Sequence, residues 1–222
     1  MKQRCLYVLV LVIIALPLSA QRKVKLKTQT DSLSYMVGIS MYQGAQQFQL
    51  DLDYDMVAKG FLAAADSNAV VDSETANNYL RGAAEQAQTA ALGKIKEEGR
   101  KFLEENRQTE GIIETGSGLQ YRVIEKGEGA SPSADDEVVV HYTGYLLDGT
   151  KFDSSHDRGE PAKFPVNRVI PGWTEVLQLM KPGAEYMVYI PPQLAYGDRQ
   201  MGNDIPAGST LIFEIELLEI TE

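Results

Sequence analysis

The sequence predicts an α+β protein: an all-helical N-terminal half with a long connecting helix, then an antiparallel β-sheet wrapped around a short helix. Two observations carry this reading. Between Thr30 and about Asn106, Ala, Gln, Glu and Leu are abundant and apolar residues return every three or four positions, the period of amphipathic helices. After Glu114-Thr115-Gly116-Ser117-Gly118 the text changes to short runs alternating apolar and polar, separated by Gly, Pro and Asp. At 222 residues the chain can build two domains, each with its own core.

The first twenty residues are taken as a signal peptide. Lys2 and Arg4 form a positive end, Leu6 to Leu16 an apolar stretch, and Leu18-Ser19-Ala20 a small-residue cleavage site. An uncleaved anchor is the alternative, but the apolar run is shorter than the roughly 20 residues that a spanning helix needs. The expectation is export, most simply to a periplasm, with residues 21–30 a flexible N-terminus and no integral membrane association after cleavage. Losing Lys2 and Arg4 takes two positive charges from −10 and leaves −12. The one cysteine, Cys5, goes with the signal, so the mature chain can form neither a disulfide nor a thiolate metal site.

Residues 31–114 are expected to hold three helices. The first opens at an N-cap, Thr30 or Asp31, and carries Leu33, Met36, Val37, Met41, Ala45 and Phe48 as a stripe. The second follows Asp53 with Met56, Val57, Gly60, Phe61 and Ala64. The third and longest starts at Asp72 or Ser73. Its later part spaces Leu92, Ile95, Gly99, Phe102 and Asn106 like a coiled-coil seam, which Gly93 and Gly99 weaken. Stripes this narrow make a poor core, and a second copy would remove them from water, so a homodimer through the N-terminal helices is expected.

Residues 115–222 supply the sheet. Leu119 to Ile124, Val138 to Tyr142 and Thr210 to Leu218 alternate as strands with one face buried. Only Asn167 to Leu179 has room for a helix, with Trp173, Val176, Leu177 and Met180 on one side.

Composition and spacing exclude several functions. A net charge of −10 and a pI near 4.8 give no basic surface for nucleic acid. Asp51, Asp53 and Asp55 imitate the start of a calcium loop, but Met56 and Leu62 stand where glycine and glutamate are required. Helix capping explains the cluster. The glycines at 116, 118, 127 and 129 lack the Gly-Lys-Ser/Thr ending of a phosphate loop. His141 and His156, the only histidines, show no metal-ligand spacing, so neither metal nor cofactor is expected. Ser154-Ser155-His156-Asp157 holds the residue types of a triad, but neighbours in one turn do not point at each other, and no nucleophile elbow is present.

What remains is a set of aromatic and aliphatic residues beside turns. VHYTGYLLDGTKFDSS at 140–155, RGEPAKFPV at 158–166, VIPGW at 169–173, LAYG at 194–197 and IPAGSTLIFEIELLEI at 205–220 together resemble the FKBP family of peptidyl-prolyl cis/trans isomerases. The resemblance covers nearly everything after Gly118. It implies a five- or six-stranded antiparallel sheet around a short helix and an isomerase (rotamase) domain at 115–222. It also implies a pocket with Trp173 as floor, lined by Tyr142, Phe152, Val169, Ile170, Tyr196, Ile205 and Phe213, with Phe164 completing the wall. Asp153 matches the family's pocket aspartate and Arg158 the arginine that bonds it. The Tyr196 hydroxyl and the Ile170 N–H are the implied contacts to substrate carbonyls. Ala162 stands where several relatives carry an aromatic, and the 198–204 loop lacks a histidine that some relatives have. The helical half, with Asp-Ser-x-Ser-Tyr-x-x-Gly at 31–38, is similar to exported bacterial members of the macrophage-infectivity-potentiator type, which are dimers.

The chemistry suits the residues. Rotation about an X–Pro bond breaks amide resonance over a barrier of roughly 18–20 kcal/mol, and no bond is made or cut. The twisted imide has lost charge separation, so a water-poor aromatic pocket favours it over the planar form without a nucleophile. The implied partners are proline-containing unfolded or exported proteins. The rival reading is a non-catalytic chaperone or binding module that grips unfolded clients.

Overall fold

The structure, a computed structural model, describes residues 24–46 and 50–221. The expected signal peptide at 1–20 and Phe48 of the first stripe lie outside the described residues. Contacts group the chain into two units that divide between Phe48 and Gln49.

The first unit holds α1 (Gln29–Gln46), in which no described residue is buried. Its cap is Thr28, not Thr30 or Asp31. The Asp31 N–H donates to Thr28 Oγ1 at 3.0 Å while the Thr28 N–H donates back to Asp31 Oδ2 at 3.1 Å, a reciprocal capping box with the acid three residues into the helix. A further bond from the Lys27 N–H helps hold the Asp31 carboxyl below its usual range.

The second unit begins with α2 (Tyr54–Ala65), capped by Asp53, whose Oδ1 accepts from the Asp55 and Met56 N–H groups. Helix α3 (Ser73–Asn106) is capped by Asp72, which accepts from the Thr75 N–H at 2.7 Å. Strand β1 (Ile112–Glu114) follows at once and pairs with β2 (Gln120–Lys126). Then come β3 (Glu137–Tyr145), β4 (Lys151–Ser154), α4 (Ser155–Arg158), β5 (Ala162–Pro165), α5 (Pro171–Leu177), β6 (Ala184–Ile190) and β7 (Leu211–Thr221).

All the pairings are antiparallel, in the order β1-β2-β6-β7-β3-β4, with β5 on the same edge of β3 as β4. Alternation sets which residues face inward. Leu211, Phe213, Ile215 and Leu217 of β7, Ala184, Tyr186, Val188 and Ile190 of β6, and Val138, Val140 and Tyr142 of β3 form the core with Trp173, Val176 and Leu177 of α5. This is the expected α+β architecture.

Helix α5 is shorter than the expected 167–179. Val166–Arg168 forms a separate 3-10 turn, and Pro171 begins the helix at its first position. A residue before proline is pushed out of helical backbone, so Ile170 breaks the two apart. Gly172 lets the helix lie on β6, because a Cβ there would fall 2.6 Å from Ile190 Cγ2.

The seam on α3 has a different occupant from the one its spacing suggests. Leu92, Ile95, Gly99, Phe102 and Asn106 face the chain's own sheet domain. A Cβ on Gly99 would stand 2.4 Å from Thr210 Oγ1, and one on Gly208 would stand 2.7 Å from Leu92 Cδ1. Phe102 meets Tyr189 at 5.7 Å between ring centroids, and Lys96 Nζ pairs with Asp198 at 2.5 Å. Asn106 donates to Gln120 Oε1 at 2.9 Å, and the fully buried Gln120 amide donates to the Leu103 carbonyl and to Glu114. Three- and four-residue spacing specifies an apolar stripe but not what covers it. Gly99, which weakens a coiled coil, is what admits the sheet domain.

Gly99→Leu is expected to cost about 1–3 kcal/mol through overpacking against Thr210, read from the urea midpoint. Gly93→Ala, where a Cβ meets nothing within 4 Å, is expected to raise stability by about 0.5–1 kcal/mol in the same measurement.

Candidate active site

Four aromatic rings gather where α5 crosses the sheet. Trp173 enters from the first turn of α5, Tyr142 from β3, Phe213 from β7 and Phe164 from β5. The last three stand edge-on to the indole: Tyr142 at 5.1 Å and 89°, Phe213 at 5.3 Å and 84°, Phe164 at 5.7 Å and 86°. Phe152 of β4 meets Phe213 in the same way at 5.5 Å and 87°. Ring edges are positive and ring faces negative, so this arrangement is favoured over flat stacking. Gly144 makes it possible. It lies opposite Phe213 in the β3–β7 pairing, and a Cβ there would fall 2.6 Å from the Phe152 ring and 2.9 Å from that of Phe213.

The rings bound a cavity of about 510 Å³, within the size range of small-ligand sites. Tyr142, Phe152, Asp153, Phe164, Val169, Ile170, Trp173, Tyr196 and Phe213 all lie on its wall. Two of the expected residues do not. Ile205 is a core residue, 7% exposed, held near the base of the 198–207 loop by paired hydrogen bonds with Met201. Arg158 sits beyond the wall and reaches the site through its bonds to Asp153 and Tyr142. Arg168, which sequence reasoning missed, lines the cavity from the end of the 3-10 turn. Its adjacency to Val169 and Ile170 was the only available signal.

The charged edge of the site is one network. The Tyr142 hydroxyl donates to Asp153 Oδ2, Arg158 Nη1 bonds Asp153 Oδ1, and Arg158 Nη2 donates to the Tyr142 oxygen at 2.9 Å. Burial alone would push the Asp153 carboxyl up. The bonds from Tyr142 and Arg158, with the guanidinium charge, outweigh it and hold the carboxyl below the usual range. The Tyr142 phenol is raised, first by burial and then by its bond to Asp153. Ser155 fixes the backbone beneath: its hydroxyl accepts from the Tyr142 N–H at 2.8 Å, and it is fully buried.

Other donors are uncommitted. The Ile170 carbonyl accepts from the Trp173 and Thr174 N–H groups, but its own N–H and the Tyr196 hydroxyl have no partner among the described residues. Burial raises the Tyr196 phenol, helped by the Asp153 charge. Trp173 Nε1 is buried without a hydrogen bond, an arrangement that costs about 1–3 kcal/mol and that packing alone does not favour. The wall therefore offers apolar faces and a few donors. Among the described residues no group of three His, Cys, Asp or Glu side chains could hold a metal.

Comparison with known proteins agrees with this architecture. Residues 128–218 match the family described as FKBP-type peptidyl-prolyl cis-trans isomerase, and residues 30–123 match the domain amino-terminal to it. The FKBP-type 22 kDa peptidyl-prolyl cis-trans isomerase of Escherichia coli is 47% identical over 192 residues, covering 84% of this chain and 93% of that protein. The outer membrane protein MIP of Legionella longbeachae is 39% identical over 200 residues, with 86% and 85% covered. The crystal structure of FkpA from Escherichia coli superposes with a TM-score of 0.74 at 30% identity, over 89% of this chain and 99% of that one.

Gly144→Ala is expected to destabilise the fold by about 1–3 kcal/mol, since it drives a methyl group into Phe152 and Phe213. Trp173 is the only tryptophan, and its fluorescence emission should shift as the neighbouring rings part.

Proposed function

The chain belongs to the FKBP-type peptidyl-prolyl cis-trans isomerases and catalyses that reaction, and we propose that it does so in the cavity over Trp173. The observation that supports this most directly is the convergence of edge-on rings on one indole, with a hydrogen-bonded carboxylate at the rim. A proline ring resting on the indole face leaves the imide among Tyr142, Phe152 and Phe213. The twisted imide is less polar than the planar one and gains from this dry setting, while the planar form loses its hydration. The Ile170 N–H and the Tyr196 hydroxyl hold the flanking carbonyls. Asp153, kept ionised, supplies a fixed field and orients Tyr142, and it takes no proton. A barrier lowered by about 5 kcal/mol gives three to four powers of ten in rate.

We further propose that the protein acts as a homodimer on exported, unfolded clients. In α1, Leu33, Met36, Val37 and Met41 are exposed, and in α2 so are Met56, Val57, Phe61 and Leu62. A second copy would remove such surfaces from water. The export reading, most simply to a periplasm, rests on the sequence of residues 1–20. It is supported by a relative named as an outer membrane protein. Among the described residues no helix is long and apolar enough to cross a membrane. Whatever part of these apolar faces the dimer leaves uncovered favours a second activity, client holding independent of the pocket.

Four measurements test these readings. Asp153→Ala and Tyr196→Phe should each lower kcat/KM on a short X–Pro peptide about tenfold, equivalent to about 1.4 kcal/mol of barrier, with little change in urea midpoint for Tyr196→Phe. Unchanged turnover in both would remove the cavity from the mechanism. If client protection persists in the two variants, holding resides in the helices. The pH–rate profile should be flat between about 6 and 8, because the lowered Asp153 carboxyl stays ionised there, and a bell shape would contradict the role given to it. Its contribution to stability is present above the ordinary carboxylate range and is lost as pH falls through the lowered folded value. Sedimentation of the mature chain at tens of micromolar should give a dimer mass.

A further inference from the structure

The cavity wall carries two charged side chains, and they differ in how they are engaged. Asp153 is saturated by Tyr142 and Arg158. Arg168 lines the same cavity from an exposed position and makes no ion pair or side-chain hydrogen bond among the described residues. Val166 and Trp173 are both buried, and the Thr174 hydroxyl donates to the Val166 carbonyl at 2.7 Å, so the turn that carries Arg168 is tied to α5. Two residues further on, the Ile170 N–H is uncommitted. Arg168 thus lines the cavity from a fixed piece of backbone, two residues before the donor expected to hold a substrate carbonyl.

We propose that Arg168 is a specificity-determining residue that makes this isomerase prefer prolines flanked by an acidic side chain. The inference rests on the cavity over Trp173 being the site of isomerisation. A planar guanidinium with all five N–H donors available offers a carboxylate paired hydrogen bonds as well as charge. The protein as a whole is acidic, at −10, and repels acidic substrate segments at long range. Salt screens that repulsion beyond about 8–10 Å and leaves the short contact at the cavity mouth to decide. An exposed pair of this kind is worth no more than about 1 kcal/mol, so the expected preference is about two- to fivefold and not an on-off choice.

The test is a panel of otherwise identical X–Pro peptides with Glu, Ala or Lys placed immediately before or after the X–Pro pair, assayed with the full mature chain. The readout is the ratio of kcat/KM for Glu over Lys peptides. The ratio should lie above one for the wild type and for Arg168→Lys, fall to one or below for Arg168→Ala, and invert for Arg168→Glu. About 0.5 M salt should compress it. A structural role for Arg168 would slow all the peptides alike and leave the ratio untouched. A ratio that stays the same in Arg168→Glu, with the Ala peptide still turned over, overturns the proposal alone. Turnover of the Ala peptide left unchanged by both Asp153→Ala and Tyr196→Phe would instead overturn the reading of the cavity.

Discussion

The packing of three ring edges on one indole is the constraint from which the rest of the molecule follows. Each such contact adds about 0.5–1.5 kcal/mol to the burial of its ring. Tyr142, Phe164 and Phe213 come from three different strands, so β3, β5 and β7 must be in register before the site exists. Around the aromatic centre, Gly144 and Gly172 are two places where backbone meets side chain without room for a methyl group. One lets Phe152 and Phe213 close on each other and the other seats α5. These glycines are requirements of the aromatic centre, not of any turn.

The polar edge depends on that centre. Asp153 is held as a carboxylate in a half-buried position partly because Tyr142, already fixed by its ring contacts and by Ser155 at its backbone, presents a hydroxyl to it. Arg158 then binds both. The charge is thereby held in one orientation without a titrating group in the neutral range, which suits a reaction in which a bond turns and no proton moves.

Much of this was legible in the sequence, for reasons that can be stated residue by residue. Alternation in β7 and β3 fixes which side chains face inward, so Phe213 and Tyr142 were readable as inward-facing, and Asp53 and Asp72 announce their helices by capping chemistry. The cap of α1 was misplaced because Asp31 is the acid of a capping box whose hydroxyl, Thr28, lies three residues earlier. The helix containing Trp173 was drawn too long because its apolar residues span two pieces of backbone that Pro171 separates. The α3 stripe was visible but its partner was not, since periodicity carries no information about what a face meets. Ile205 went to the core and Arg168 to the wall because a loop's path depends on contacts that no local pattern encodes.

The place of β7 in the sheet has a consequence for how the protein comes into being. It is the last strand in chain order, yet it lies between β6 and β3 and brings Phe213 to the cavity. Until it emerges, the partly synthesised domain is two separate ribbons with open edges and no hollow between them. The site therefore cannot exist before this strand is in place. Its assembly must wait for the final strand to slot between two elements made long before.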